Sequence, residues 1–181
     1  MRMQVKPVND IAFHYGPRKC GKSLFVEREL RPYAMKTYIG TLSKDSKYIQ
    51  TINEHQQRRT DTWTTFEITE DFESDLQHIR THLNNKEKEA ACMVDGLITW
   101  FEFLKKTSVQ TITWHHFTNG LIQLIDNSNI TWRLVDVDPG IFKESTPCWT
   151  DYKKIHQKLI SKLEIKKIID WRYEQIQNTL D

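Results

Sequence analysis

Eight consecutive residues, Gly16-Pro17-Arg18-Lys19-Cys20-Gly21-Lys22-Ser23, fit the phosphate-binding pattern G-x-x-x-x-G-K-[S/T]. They follow the short apolar run Ile11-Ala12-Phe13 and precede a stretch with helical character. The pattern therefore lies between a predicted strand and a predicted helix, which is where it forms a phosphate-binding loop. This placement constrains the fold more than any other feature of the chain.

Each part of this loop has a chemical purpose in binding a nucleoside triphosphate. Glycines let backbone N–H groups close around phosphate oxygens, a lysine reaches the terminal phosphates, and a hydroxyl holds Mg²⁺. The alternative is a glycine-rich turn without a ligand. We predict that GTP, ATP or both are substrates, that Mg²⁺ is the cofactor, and that the nucleotide is bound by Gly16, Pro17, Arg18, Lys19, Cys20, Gly21, Lys22 and Ser23.

The composition is that of an ordinary globular protein. The chain has 181 residues, 38% of them hydrophobic and 28% charged, which suits one compact domain over residues 1–181. A formal net charge of +2 gives no reason to expect a nucleic-acid partner. The N-terminal residues lack the apolar stretch of a signal peptide, and no segment approaches the roughly 18 apolar residues of a membrane span. With three widely separated cysteines, we expect reduced thiols and a cytoplasmic location.

Short apolar runs alternate with amphipathic stretches along the chain, which is typical of an α/β sheet with helices on both faces. We therefore predict a P-loop NTPase-like fold with a mostly parallel sheet. The predicted strands are Asp10–Tyr15, Lys36–Gly40, Thr64–Ile68, Ala90–Asp95 and Ile130–Val137. The predicted helices are Lys22–Leu30, Lys44–Arg59, Asp71–Asn84, Leu97–Lys106, Phe117–Asn127 and Asp151–Lys162. Beyond Leu163 the pattern leaves strand and helix open, since Ile165, Ile168 and Ile169 fit either.

The second predicted helix carries a histidine and an arginine on one face. Tyr48, Ile52, His55 and Arg59 follow one another at helical spacings of three and four residues. A neutral histidine nitrogen can attack the α-phosphorus of a nucleotide, and an arginine one turn away can balance charge on the phosphates. Helix spacing alone leaves open a surface helix whose histidine has no catalytic role.

The order of these features resembles a known family. The segment Thr37-Tyr38-Ile39-Gly40-Thr41 precedes the pattern I-x-x-H-x-x-x-R-x-x-x-W-x-T, and a glutamate, Glu67, follows it. That pattern is occupied by Ile52, His55, Arg59, Trp63 and Thr65. Farther on, Met93–Trp100 looks like the family's V-D-C-L-T-x-W segment. The chain thus resembles the bifunctional adenosylcobinamide kinase and adenosylcobinamide-phosphate guanylyltransferase family of cobalamin biosynthesis, best over Ile11 to Trp100.

The resemblance implies a transferase that phosphorylates adenosylcobinamide and then transfers GMP from GTP. The histidine at the place of His55 is the residue that is guanylylated in the family, so the implied catalytic residues are His55 and Lys22. Arg59, Glu67 and Asp95 are implied at the nucleotide, with Asp95 opposite Ser23 at the metal. Asp95 also fits a second role, as a cap of the following helix. The implied partners are nucleotide and corrinoid substrates, and a homo-oligomer, a trimer by resemblance.

Some positions depart from the family pattern. Pro17 replaces the usual glycine and removes one N–H from the phosphate cradle. Phe103 replaces an asparagine, and Asp138 replaces a glycine in the later E-V-G-x-G-I segment. Two alternatives therefore stay open. One is a P-loop kinase of another small metabolite in which His55 is only packed, and the other is a degenerate nucleotide-binding protein without turnover.

Overall fold

The computed structural model describes residues 10–42, 49–59, 62–84, 90–143, 146 and 148–174. The strands are β1 (Ile11–Gly16), β2 (Met35–Gly40), β3 (Trp63–Glu67), β4 (Ala90–Asp95), β5 (Thr131–Val137) and β6 (Lys167–Asp170). The helices are α1 (Lys22–Glu29), α2 (Ile49–Arg58), α3 (Phe72–Asn84), α4 (Leu97–Thr107), α5 (Trp114–Asp126), α6 (Trp149–Lys162) and α7 (Trp171–Glu174), with a 3₁₀ turn at Pro139–Ile141. None of the helices within these ranges is long and apolar enough to cross a membrane.

The six strands form one parallel sheet in the order β3-β2-β4-β5-β1-β6. Because the strands are parallel, their carboxyl ends meet at one edge, where α/β proteins place their ligands. The register brings Gly16 opposite Val137, and it brings Gly40 opposite both Asp95 and Glu67. The sequence-predicted site residues on three different strands therefore share this edge.

Apolar side chains cover both faces of the sheet, as the near-continuous hydrophobic strands require. On one face, Phe13, Val94 and Leu134 are fully buried in the large cluster that includes residues of α3, α4, α5 and α6. On the other face, Met93 and Val135 pack in a smaller cluster with residues of α1. The predicted fold class, a mostly parallel sheet with helices on both faces, is confirmed.

All five predicted strands are present, each displaced by at most one residue. Two helices begin earlier than predicted: α5 at Trp114 instead of Phe117, and α6 at Trp149 instead of Asp151. The start of α5 is fixed by Thr113, whose hydroxyl accepts a hydrogen bond from the N–H of His116 at 3.1 Å. The predicted beginning of the second helix, with Tyr48, lies outside the described residues.

In the C-terminal segment, where the isoleucines fit either a strand or a helix, the structure has a strand. Ile168 and Ile169 belong to β6, which pairs with β1. The strand is followed at once by Trp171, which lies against Gly16 at the end of β1. A Cβ added to Gly16 would come within 2.7 Å of the Trp171 Cβ. The Trp171 indole also donates a hydrogen bond to Nδ1 of His14 at 3.3 Å, so α7 is fastened to the strand that leads into the phosphate-binding loop.

Candidate active site

The phosphate-binding pattern forms the connection between β1 and α1. The loop leaves β1 at Gly16, and α1 begins at Lys22. Lys19 and Gly21 have φ angles of 56° and 91°, in the left-handed region that glycine adopts at no steric cost. The first amides of α1 lack intrahelical partners, as at every helix N-terminus, and such amides are ready donors to an anion.

Lys22 is folded back into the loop. Its ammonium group donates to the carbonyl oxygens of Gly16, at 3.3 Å, and Pro17, and it lies 3.3 Å from Sγ of Cys20. The residue is only 7% exposed. Phosphate oxygens can replace these acceptors, because a lysine ammonium is a compact point charge with three donors on a flexible stem.

The other loop residues line the approach to this position. Pro17 and Cys20 are half-buried, whereas Arg18 and Lys19 are exposed. The Arg18 guanidinium lies 5.5 Å from the ring centroid of Phe142, beyond the end of β5. The basic side chain of Arg18 is therefore directed across the mouth of the loop toward the segment after β5.

The carboxylate of Asp95 joins three elements at the carboxyl edge of the sheet. Ser23, in the first turn of α1, donates to Oδ1 of Asp95 at 3.0 Å. Tyr38, on β2, donates to Oδ2 at 3.0 Å. Nδ1 of His55, on α2, lies 3.7 Å from the same oxygen. The loop serine and the predicted nucleophile therefore face one carboxylate.

Asp95 does not cap the helix that follows it. The cap position of α4 is taken by Gly96, with a φ of 99°, and the N–H of Ile98 donates to the buried carboxylate of Asp136 at 3.2 Å. Asp136 is in turn bonded to His156 at 2.7 Å. Because Asp136 serves the helix terminus, the side chain of Asp95 is left for Ser23 and Tyr38.

The hydrogen bonds around Tyr38 favour the tautomer of His55 that carries its hydrogen on Nδ1. The Tyr38 hydroxyl has one hydrogen, which it gives to Asp95, and its oxygen lies 3.3 Å from Nδ1 of His55. A hydrogen bond at that contact requires the hydrogen on Nδ1. Nε2 therefore carries the lone pair of the neutral ring, and the described residues supply no hydrogen bond to it.

Burial shifts the pKa values of His55, Asp95 and Tyr38. Desolvation lowers the pKa of His55 below its ordinary value of 6.5, against the attraction of Asp95. Desolvation also raises the pKa of Asp95, an effect opposed mainly by His55. Burial raises the pKa of Tyr38 well above its ordinary value. At neutral pH the imidazole is therefore neutral, and the Tyr38 phenol keeps its hydrogen.

Arg59 lies beside His55 and over the ring of Tyr38. Its Cζ is 3.6 Å from the ring centroid, and its Nη1 is 3.6 Å from a carboxylate oxygen of Glu27 on α1. Nε and Nη1 are buried and have no hydrogen-bond partner among the described residues. Buried donors of this kind are costly unless a partner is supplied, so the guanidinium is suited to receive an anionic group.

A shallow pocket opens between α2 and the ends of β2 and β3. Ile52 and His55 on α2 and Arg59 directly after it all line the pocket, so the three side chains lie on the same side of this segment. Glu67 lines it from the end of β3, with Oε1 3.5 Å from the side-chain amide of Gln56. The structure thus brings together the predicted residues of the loop, His55, Arg59, Glu67 and Asp95 at one edge of the sheet.

Sequence reasoning missed two residues of the site. Tyr38 stands in the quoted segment Thr37–Thr41, and its position on β2 places it on the α1 face of the sheet. The signal available in the sequence was a hydroxyl-bearing side chain at a strand position that faces an apolar cluster. Glu27 bonds to Arg58 at 3.0 Å and approaches Arg59. Its role depends on a contact between two helices, for which the sequence holds no local signal.

A sequence model described as "Cobinamide kinase / cobinamide phosphate guanyltransferase" matches residues 12–164. The chain belongs to this family. The match includes the phosphate-binding loop, α2 with His55, and the end of β4 with Asp95, whereas β6 and α7 lie beyond it. The cobinamide kinase / cobinamide phosphate guanyltransferase family is a transferase family of cobalamin biosynthesis. As a member, the chain has a nucleotide-binding P-loop.

The fold of this family member is similar to that of a secretion ATPase. A chain in the structure of the assembled ATPase EscN with its central stalk EscO, from the type III secretion system of enteropathogenic E. coli, superposes with a TM-score of 0.52 at 10% identity. The superposition covers 86% of this chain and 40% of the other. At this identity the likeness concerns the fold alone, and it confirms the P-loop NTPase-like prediction. No curated protein sequence gives a significant match to the chain.

Proposed function

We propose that this protein phosphorylates adenosylcobinamide and transfers GMP from GTP to adenosylcobinamide phosphate, with His55 as the residue that carries GMP. Family membership supports the pair of reactions. The observation that carries the role of His55 is the shared carboxylate of Asp95, which faces both Ser23 of the phosphate-binding loop and Nδ1 of His55. A nucleotide held by the loop would therefore be next to the imidazole.

In the first half of guanylyl transfer, Nε2 of His55 attacks the α-phosphorus of GTP. The N–P bond forms as the P–O bond to pyrophosphate breaks, and pyrophosphate leaves with that electron pair. The ring becomes cationic, and the carboxylate of Asp95, 3.7 Å from Nδ1, stabilises the charge. In the second half, a phosphate oxygen of adenosylcobinamide phosphate attacks the same phosphorus, and the N–P electron pair returns to Nε2.

In the kinase reaction, the loop presents the γ-phosphate of a nucleoside triphosphate to a hydroxyl of adenosylcobinamide. Lys22 would exchange the carbonyls of Gly16 and Pro17 for phosphate oxygens. Nε and Nη1 of Arg59, which have no hydrogen-bond partner among the described residues, would balance phosphate charge near His55. Phosphoryl transfer depends mainly on such positioning and charge stabilisation.

The donor set at the end of the loop fits Mg²⁺. Ser23 supplies a hydroxyl and Asp95 a carboxylate, and the two oxygens face each other at 3.0 Å. Mg²⁺ in nucleotide sites is held by one or two such oxygens together with phosphates and water. When bound, the ion would neutralise charge on the triphosphate. Ser23 and Asp95 are the residues that would hold it.

Mass spectrometry after incubation with GTP and Mg²⁺, with handling at alkaline pH because phosphoramidates are acid-labile, tests the role of His55. We expect a GMP adduct on the peptide containing His55, no adduct in His55→Ala, and a normal adduct in His78→Ala, where the histidine is exposed on α3. Nucleotide binding without an adduct would favour a plain P-loop kinase if phosphate is still transferred, or a binder without turnover if it is not. An adduct on another residue would reject His55 as the nucleophile.

A further inference from the structure

A second cavity lies at the opposite edge of the sheet from the phosphate-binding loop. It has a volume of about 490 Å³ and is lined by residues of α1 and the turn after it, the last turn of α2, and the beginnings of β2 and β3 with Thr62 just before β3. The carboxyl ends of β2 and β3, with the pocket of His55, lie at the other end of the same strands. The cavity is therefore a separate place on the molecule, although Glu27 on its wall also approaches Arg59 at 3.6 Å.

Among the described residues, four cations and one carboxylate line this cavity. The cations are Arg28, Arg31, Lys36 and Arg58, and the carboxylate is Glu27. Glu27 is already occupied, since it bonds to Arg58 at 3.0 Å and approaches Arg59 at 3.6 Å. Within the part of the chain that the structure describes, Arg28 and Arg31 have no ion pair. The described lining of the cavity therefore has an excess of positive charge.

Two arguments show that helix electrostatics alone do not account for this excess. A cation in the last turn of α1 compensates the helix dipole. Arg28 holds that position, so the helix dipole does not explain the other three cations. Lys36 is on a strand and is only 6% exposed. Its ammonium donates to the carbonyl of Tyr33 at 2.6 Å and lies 5.9 Å from the ring centroid of Trp63. A buried cation without a carboxylate partner is costly unless a negative charge is brought to it.

We propose that this cavity is a second phosphate-binding site, which takes the phosphate or polyphosphate group of a small metabolite. Arginine forks match phosphate oxygens in pairs, and the ammonium of a lysine adds a point charge. The indole of Trp63 forms an apolar wall beside these donors, where the organic part of a phosphorylated compound can pack. The inference is independent of the proposed function, because none of its cations belongs to the phosphate-binding loop.

Calorimetric titration with inorganic pyrophosphate in EDTA tests the site in a Lys22→Ala background, in which the phosphate-binding loop is impaired. We expect one binding event in that variant. Adding Arg28→Ala and Arg31→Ala should weaken it at least tenfold, and adding salt should weaken it further. The matched control adds Lys105→Ala and Lys106→Ala, which remove two exposed cations at the end of α4 and should change the affinity less than twofold.

Arg28 and Arg31 are exposed, so we expect the variant that lacks both to fold normally. Thermal unfolding followed by circular dichroism checks this. The proposal is overturned if the Lys22→Ala protein binds no pyrophosphate, or if the two pairs of substitutions weaken binding equally. Either result leaves the guanylylation of His55 untouched, since that reaction is read in the unmodified protein. Loss of the His55 adduct would likewise leave this site standing.

Discussion

At the level of individual residues, Tyr38 has the most specific part in the site apart from His55 itself. Its hydroxyl lies between Oδ2 of Asp95, at 3.0 Å, and Nδ1 of His55, at 3.3 Å. The phenyl ring supports the guanidinium of Arg59 from below. Tyr38 therefore positions His55 and Arg59, the two predicted phosphate-facing residues, without itself having to touch the substrate.

Removing this hydroxyl should slow guanylylation without weakening nucleotide binding. In Tyr38→Phe, the Nδ1 hydrogen of His55 loses its acceptor, so the imidazole is no longer held in one tautomer and orientation. We expect the rate of adduct formation to fall about tenfold, the equivalent of one ordinary hydrogen bond. The rate is measured by mass spectrometry of samples quenched in alkali, and the dissociation constant for GTP by titration.

Tyr33→Phe is the matched control, because it removes a hydroxyl whose one hydrogen bond among the described residues comes from Thr131, at the other end of the sheet. Its rate should equal that of the unmodified protein. Equal rates in the two variants would show that Tyr38 does not orient His55. A tenfold loss of GTP affinity in Tyr38→Phe would point instead to a disturbed binding site.

At the level of secondary-structure elements, the sequence predicted what depends on local patterns. The first five strands were predicted within one residue because their apolar runs are continuous, and the phosphate-binding loop was predicted because its motif is contiguous. The site at the ends of β1, β2 and β4 followed from spacing and resemblance. The strand β6 was left open, since its four residues gain their partner only through β1, more than 150 positions away. The contacts of Glu27 with Arg58 and Arg59 were also missed, because they too join residues that are distant in the sequence.

The packing of α7 against the end of β1 should make Gly16 intolerant of any side chain. In Gly16→Ala, the new Cβ would lie 2.7 Å from the Cβ of Trp171, and neither atom is the flexible end of a side chain. The φ of 154° adds backbone strain. We expect a loss of about 3 kcal/mol in the free energy of unfolding, measured by urea denaturation with tryptophan fluorescence.

Gly140→Ala provides the comparison for this substitution. Gly140 is exposed in the 3₁₀ turn, its φ is not positive, and the nearest atom to an added Cβ is a carboxylate oxygen of Asp138 at 3.2 Å. We expect a change of about 1 kcal/mol or less. If Gly16→Ala were as stable as Gly140→Ala, the close packing of Trp171 on β1 would be wrong.

At the level of the whole molecule, His14 should make stability depend on pH. This residue is completely buried on β1, and burial lowers its pKa from 6.5 to about 4, against the attraction of Glu29. Between pH 6.5 and 4, His14 binds a proton in the unfolded chain but not in the folded protein. The free energy of unfolding therefore falls as the pH falls from 6.5 toward 4. Between pH 7.5 and 5, we expect His14 to account for a loss of about 2 kcal/mol.

Urea denaturation of His14→Gln at both pH values measures this contribution. The variant should lose about 2 kcal/mol less between pH 7.5 and 5 than the unmodified protein does, whatever its stability at pH 7.5. His78→Gln, which replaces an exposed histidine, should follow the unmodified protein. An unchanged pH dependence in His14→Gln would mean that His14 is protonated as readily in the folded state as in the unfolded chain.

The sheet order also has a consequence for how the protein is made. Of the six described strands, β1 is the first to leave the ribosome, yet its neighbours in the sheet are β5 and β6. At typical translation speeds the stretch from β1 to β5 takes roughly 6 to 23 seconds to synthesise. During that time the strand that leads into the phosphate-binding loop has no partner to pair with. A nascent chain should therefore acquire nucleotide binding late, only when its C-terminal third has emerged.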